Sequence, residues 1–140
     1  MSAFGDALAG LKRVLEDNVS GLKAFDYPVS AFAHYPAAVI LPEPLDMEVA
    51  LQGNTFTGRF RVLFAVASGD VAEGFLQLYD YIDPTVAQKS VVKAVRTDRT
   101  LNGKVDDADV VRIENIGRRQ MGDGFVYGFD AVVEFIKSVA

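Results

Sequence analysis

The segment Phe125–Ile136 constrains this chain more than any other. Phe125, Tyr127, Phe129, Ala131, Val133 and Phe135 alternate with Val126, Gly128, Asp130, Val132, Glu134 and Ile136. A period of two puts the first set on one face of a strand and the second set on the other. The first face is apolar throughout and is expected to form core. The second is half apolar and half acidic, which suits either a subunit interface or partial cover by a loop or the first helix. Val110–Arg118 reads as a neighbouring strand, and Gly122-Asp123-Gly124 between the two predicts the turn of an antiparallel hairpin.

Upstream, the pattern changes period. In residues 3–18, Phe4, Ala7, Leu8, Leu11, Val14 and Leu15 recur at helical steps, with Lys12, Arg13, Glu16 and Asp17 opposite. Ala37–Leu41, an apolar run bounded by prolines, reads as a buried strand. Asp46–Leu51 alternates in part and reads as a second strand. Gly53-Asn54 and Gly58 bracket what is expected to be a flexible connection. Phe60–Ala67 follows as a third strand, with Phe60, Val62, Phe64 and Val66 on one face and Arg59, Arg61, Leu63 and Ala65 on the other. Asp70 is placed to cap a second helix, with Glu73 completing a capping box and Val71, Phe75, Leu78, Tyr79 and Ile82 as its apolar stripe. Ser90 is placed to cap a third helix to about Thr97, with Val91, Ala94 and Val95 inward. Strands in groups rather than alternating with helices predict an α+β fold. The expected form is one domain over residues 1–140, a mixed or antiparallel sheet of four or five strands with helices mainly on one face. The 140 residues, half of them hydrophobic, suffice for one core.

The chain has no cysteine, which excludes disulfides, thiol catalysis and Cys-ligated zinc. Its one histidine, His34, leaves a Ser-His triad a single base and reads better as a surface or hydrogen-bonded residue. The net charge is −5, with no basic stripe, so tight nucleic-acid binding is not expected. The N-terminus lacks the basic start and apolar run of a signal peptide, and no apolar run approaches the about 18 residues of a membrane span.

Gly122, Gly124 and Gly128 depart from the GxGxxG spacing and precede a strand, so a turn is expected rather than a nucleotide loop. Asp106, Asp107 and Asp109 could hold a hard cation, but their spacing is not that of an EF-hand. A solvated loop, or salt bridges across a subunit boundary with Arg118 and Arg119 as partners, accounts for them better. Glu114, Asp130 and Glu134 could form a carboxylate pair for acid–base chemistry, or could be polar strand positions on a solvated or subunit-facing side. Arg59 and Arg61 share a face beside the glycine-rich connection, and arginine is enriched at protein interfaces. No cofactor or metal is expected, and no enzymatic activity.

Several stretches together resemble the tail terminator proteins of long-tailed bacteriophages. They are the amphipathic N-terminal helix, Tyr35-Pro36 leading into Ala38–Pro42, the Phe60–Val66 strand, Leu78-Tyr79-Asp80-Tyr81, Lys89–Asp107 and the closing hairpin. The most specific piece is the Ser90–Ala94 helix followed by Arg99-Thr100-Leu101-Asn102-Gly103. Relatives with this pattern often carry Gly-Gly where this chain has Asn102-Gly103, which suits the same positive-φ geometry. The resemblance implies a small α/β subunit in a homohexameric ring on the head-proximal end of the tail tube. The ring would stop addition of the major tail tube protein, present a surface to the head–neck connector and let DNA pass through its lumen without tight binding. It implies synthesis in the host bacterial cytoplasm and a final place in the virion at the tail–neck junction, with no membrane contact. Arg59, Arg61, Asp98, Arg99, Asp106, Asp107, Arg118, Arg119, Asp130 and Glu134 are the expected interface residues. Another phage head–tail joining or neck ring protein is the nearest alternative. A small α+β ligand-binding domain or carboxylate-based enzyme is the alternative from a different class.

Overall fold

A computed structural model describes residues 2–29, 31–121 and 124–139. In chain order the elements are α1 (Ala3–Asn18), β1 (Lys23–Phe25), β2 (Ala37–Pro42), α2 (Met47–Ala50), β3 (Leu51–Gln52), β4 (Thr55–Val66), α3 (Val71–Ile82), α4 (Val91–Thr97), β5 (Asp107–Met121) and β6 (Gly124–Ser138). The strands form one mixed sheet of six, in the order β1-β2-β4-β6-β5, with the short β3 also paired to β4. Only β1 and β2 run parallel; every other pair is antiparallel. The fold is α+β as expected, with slightly more strands than expected because the three-residue β1 and two-residue β3 are too short to leave a periodic signal.

The helix-covered face holds the core. Phe60, Phe64, Phe129 and Phe135 are fully buried, and removing each such side chain from water contributes about 1.5–3 kcal/mol. Phe64 and Phe129 are paired in register and stacked, with ring centroids 4.9 Å apart. Phe60 stacks on Phe135 at 5.3 Å, and Phe4 from α1 meets both edge-on. Gly58 makes this possible: a Cβ there would lie 2.6 Å from Phe135 Cζ. Gly58 is therefore a socket inside β4 and not part of a flexible connection, and β4 begins at Thr55.

α1 begins at Ser2, whose side chain accepts from the Gly5 N–H. Its inward face is Ala7, Gly10, Leu11, Val14 and Leu15. A Cβ on Gly10 would collide with the Leu101 carbonyl, so this glycine lets the helix lie directly on the loop after α4. In that loop Leu101, Asn102 and Gly103 all have positive φ (49°, 61° and 78°). Leu101 holds this uncommon conformation while fully buried.

Four local expectations are corrected. Asp46–Leu51 is not one strand: Asp46 caps the single helical turn α2, extended pairing begins only at Leu51, and the alternating Met47, Val49 and Leu51 are exposed. In α3 the inward face is centred on Gly74 and Leu78, leaving Val71 and Tyr79 half exposed. The cause is Tyr127, whose ring lies where a Cβ of Gly74 would be, so the helix rests flat on β6 along that line. The α3 capping box is completed by Ser68, whose Oγ accepts from the Asp70 N–H, while Asp70 itself accepts from Ala72 and Glu73. Finally, Phe125 is 55% exposed. The β4–β6 pairing ends at Val66–Tyr127, so no core lies above it, and the Arg118 guanidinium covers its ring at 4.5 Å. The expected turn at Gly122-Asp123 lies outside the described residues.

Candidate functional site

The face of the sheet away from the core helices carries the charged groups. Register alone brings them together. In β4, Arg59 pairs with Glu134 of β6 and Arg61 with Val132, and across β6–β5 Asp130 pairs with Glu114. Arg61 sits between them: Nη1 lies 2.9 Å from Asp130 Oδ2 and also contacts Glu114, while Nε donates to Glu43. Asp130 is the buried centre, its side chain 7% exposed. Oδ2 also accepts from Asn115 Nδ2 at 2.8 Å, and Oδ1 has the Arg119 Nη2 contact at 2.8 Å. Arg119 donates as well to the Asn115 carbonyl. Arg112, 3.6 Å from Glu114, brings the cluster to three guanidiniums and three carboxylates. Arg59 and Glu134 make a separate, more exposed pair at 2.7 Å.

Burial alone would raise the pKa of Asp130, but the hydrogen bond from Asn115, the close guanidinium and charge of Arg119 and the bond from Arg61 overcome it. They hold Asp130 below the ordinary carboxylate range. Burial likewise works against the Arg61 cation, and the bonds to Glu114, Asp130 and Glu43 more than reverse that effect. A carboxylate locked in its ionised form between guanidiniums is poorly suited to act as a general acid, which needs a raised pKa. The arrangement instead joins three strands and the Glu43 segment by charge-assisted bonds.

The second cluster lies after α4. Arg99 forms a two-pronged bond to Asp107, 2.7 and 3.0 Å. Asp109 meets Arg96 at 3.1 Å and Arg99 at 3.7 Å, and Asp106 accepts from the Ser138 N–H at 2.6 Å. Asp98 shapes the loop: it accepts from Thr100 Oγ1 and from the Thr100 and Asn102 N–H groups. The bond from Thr100 is the main reason its pKa is lowered; for Asp107 the main reason is the bond from Arg99. Within the chain the partners of Asp107 and Asp109 are Arg96 and Arg99, while Arg119 meets Asp130 and Arg118 lies over Phe125. Among the described residues no group of three His, Asp or Glu side chains converges as a metal site.

His34 is exposed, and its Nε2 lies 3.1 Å from the Gly21 carbonyl oxygen. Gly128 lies inside β6, where a Cβ would strike the Phe64 carbonyl, so close strand packing accounts for it. The mixed face of β6 is covered in part by the loop before β2. Pro28, Val29 and Phe32 close an apolar cavity of about 150 Å³ over Val39, Leu63 and Val126. Asn115, Glu43 and Arg96 were not anticipated. Asn115 has φ 56° within the Glu114–Gly117 register shift, and the glycine two residues on, inside a strand, is the signal of such a bulge. Glu43, a lone charge between Pro42 and Pro44, carries no comparable signal.

Apart from these clusters, exposed large apolar side chains lie around α2 (Leu45, Met47, Val49 and Leu51), on α3 (Val71, Leu76 and Tyr79) and on β5 (Val111 and Ile116), with Tyr27, Phe125, Ile136 and Val139 exposed elsewhere. Among the described residues no helix is long and apolar enough to cross a membrane. A scan against known protein families finds no match for the chain, and a search of the curated proteins finds none.

Proposed function

We propose that this chain is a structural subunit of the tail-terminator type, which assembles into a homohexameric ring and caps the head-proximal end of a phage tail tube. The observation that carries the reading is the placement of exposed apolar surface. It lies on the α2 segment, where Leu45 and Val49 line a groove, on α3 and on the β5 edge, and exposed apolar patches of this kind mark protein contacts. The intrachain charge clusters support it too, because they spend the carboxylates on structure. The resemblance over Lys89–Asp107 supplies the specific assignment. Capping follows from asymmetry: one ring face matches the last tube ring, and the other presents a different surface to the head–neck connector. A net charge of −5 suits passage of DNA without adhesion.

The test is tube polymerisation with and without the protein. Tubes of major tail tube protein should become shorter and carry rings at one end in negative stain. Unchanged tube length sinks the terminator assignment, and binding to the portal side alone would move the protein to the neck-ring alternative.

A further inference from the structure

At one end of the sheet the lateral order is β3, β4, β6, β5: Gln52 pairs with Thr55, Thr55 with Ser138, and Ile136 with Asp107. At that level the α2–β3 segment and the start of β5 are opposite lateral edges, three strand spacings or about 14 Å apart, and Val111 and Ile116 lie farther along β5, level with Phe60–Ala65 of β4 where β2 is the opposite neighbour. Both edges are apolar, with Leu45, Met47, Val49 and Leu51 between 40% and 61% exposed on one, and Val111 and Ile116 at 48% and 46% on the other.

Their backbones and charges differ. Val111 falls at the register shift between Val110 and Arg112, and Ile116 at the shift between Glu114 and Gly117. Two bulges interrupt the row of N–H and C=O groups that strand addition needs. A partner must therefore meet β5 through side chains. Arg112 and Arg118 flank these apolar residues, and Arg112 is 61% exposed. The opposite edge carries Asp46 and Glu48. Beside it a groove of about 270 Å³ is lined by Pro44, Leu45, Val49 and Thr57, with the Arg59–Glu134 pair at its side.

We propose that the α2–β3 edge of one copy receives the Val111/Ile116 edge of β5 from a second copy, with Asp46 and Glu48 set beside Arg112 and Arg118. The two surfaces differ, so the contact is heterologous: each copy uses both edges, and association continues until the rotation closes. The inference rests on the ring reading for its closure. It adds which surfaces meet.

The chain has no cysteine, so engineered thiols report the contact cleanly. Val49→Cys and Val111→Cys are both at exposed positions. Mixed and oxidised, the two single variants should form an intermolecular disulfide, each alone should form about tenfold less, and the double variant should give a ladder of linked oligomers. Val111→Asp with Ile116→Asp should lower the assembled fraction by about tenfold in light scattering. Preferential self-linking of Val111→Cys would mean edge-to-edge pairing and overturn the proposal. Rings that assemble without the mixed cross-link would overturn it while leaving the ring reading intact. Cross-linked rings that leave tube length unchanged would support this contact and remove the terminator assignment. A chain that stays monomeric with tubes present would overturn both. If the aspartate variant fails to fold by circular dichroism, the cysteine pair still decides.

Discussion

Phe60 and Arg61 are neighbours in β4 and enter different worlds. Phe60 joins a stack of aromatic rings under α1, while Arg61 reaches into a cluster of carboxylates on the opposite face. The first environment is non-directional, and its stabilisation grows with area removed from water. The second depends on angle and register, because Arg61 meets Asp130 only when β4 and β6 pair as they do. Shifting β6 by one residue would send Asp130 toward the rings and Phe129 toward the arginines. The apolar face therefore supplies most of the stability, and the ionic face penalises wrong pairings of the same strands.

This contrast can be broken at several points. The largest loss is expected from Phe135→Ala, which leaves Phe60, Phe4 and Phe56 facing a void. It should lower the unfolding free energy in urea by about 3–5 kcal/mol. Asp130→Ala should follow at about 3 kcal/mol, since it strands Arg61 and Arg119 without their buried partner. Replacing the pair together, Asp130→Leu with Arg61→Met, should cost less than the two single changes summed. Additive losses in the same urea titrations would mean that the network is not coupled and that the two faces behave alike.

Acid sharpens the comparison. The folded-state pKa of Asp130 is depressed, so its contribution is complete above the ordinary carboxylate value of about 3.9 and disappears as pH falls through the lower folded value. Asp130→Asn should be less stable than the parent at neutral pH yet lose less on acidification through that window. Parallel stability–pH curves for the two proteins would count against the network. The smallest effect should come from Arg59→Ala. Its side chain is 48% exposed in the pair with Glu134, and such a pair contributes below about 1 kcal/mol. A larger loss in the isolated subunit would place Arg59 with the buried network.

The elements that bury a periodic face were legible in the sequence. The α1 stripe, the alternation of Phe60–Val66, the Ser90 cap and the facing strands of the hairpin all depend on near neighbours in the chain. The Met47, Val49 and Leu51 alternation misled because it records exposed apolar side chains, and a pattern does not say which side is wet. Gly58 read as flexible because its reason lies in Phe135, on another strand. The charged residues were legible as residues but not as pairs. Arg61, Asp130 and Arg119 converge through a register that includes two bulges, and a single sequence does not locate a bulge to the residue. Arg99 and Asp107 are closer in the chain, yet their meeting depends on the left-handed turn at Leu101–Gly103.

The position of β6 has a consequence for how the chain is made. It is the last of the six strands to be synthesised, yet it lies between β4 and β5. Until it emerges, the hydrogen-bonding edge of β4 has no partner and the aromatic residues beneath α1 lack Phe129 and Phe135 to close on. The nascent chain must therefore carry an open, sticky edge from the completion of β4 at Val66 until β6 is made, and the long-range pairing that closes it is intrinsically slow. Losing residues from the end of β6 would remove the middle of the sheet rather than trim its margin, and a nascent-chain chaperone that covers β4 would act at the step where this fold is most exposed to aggregation.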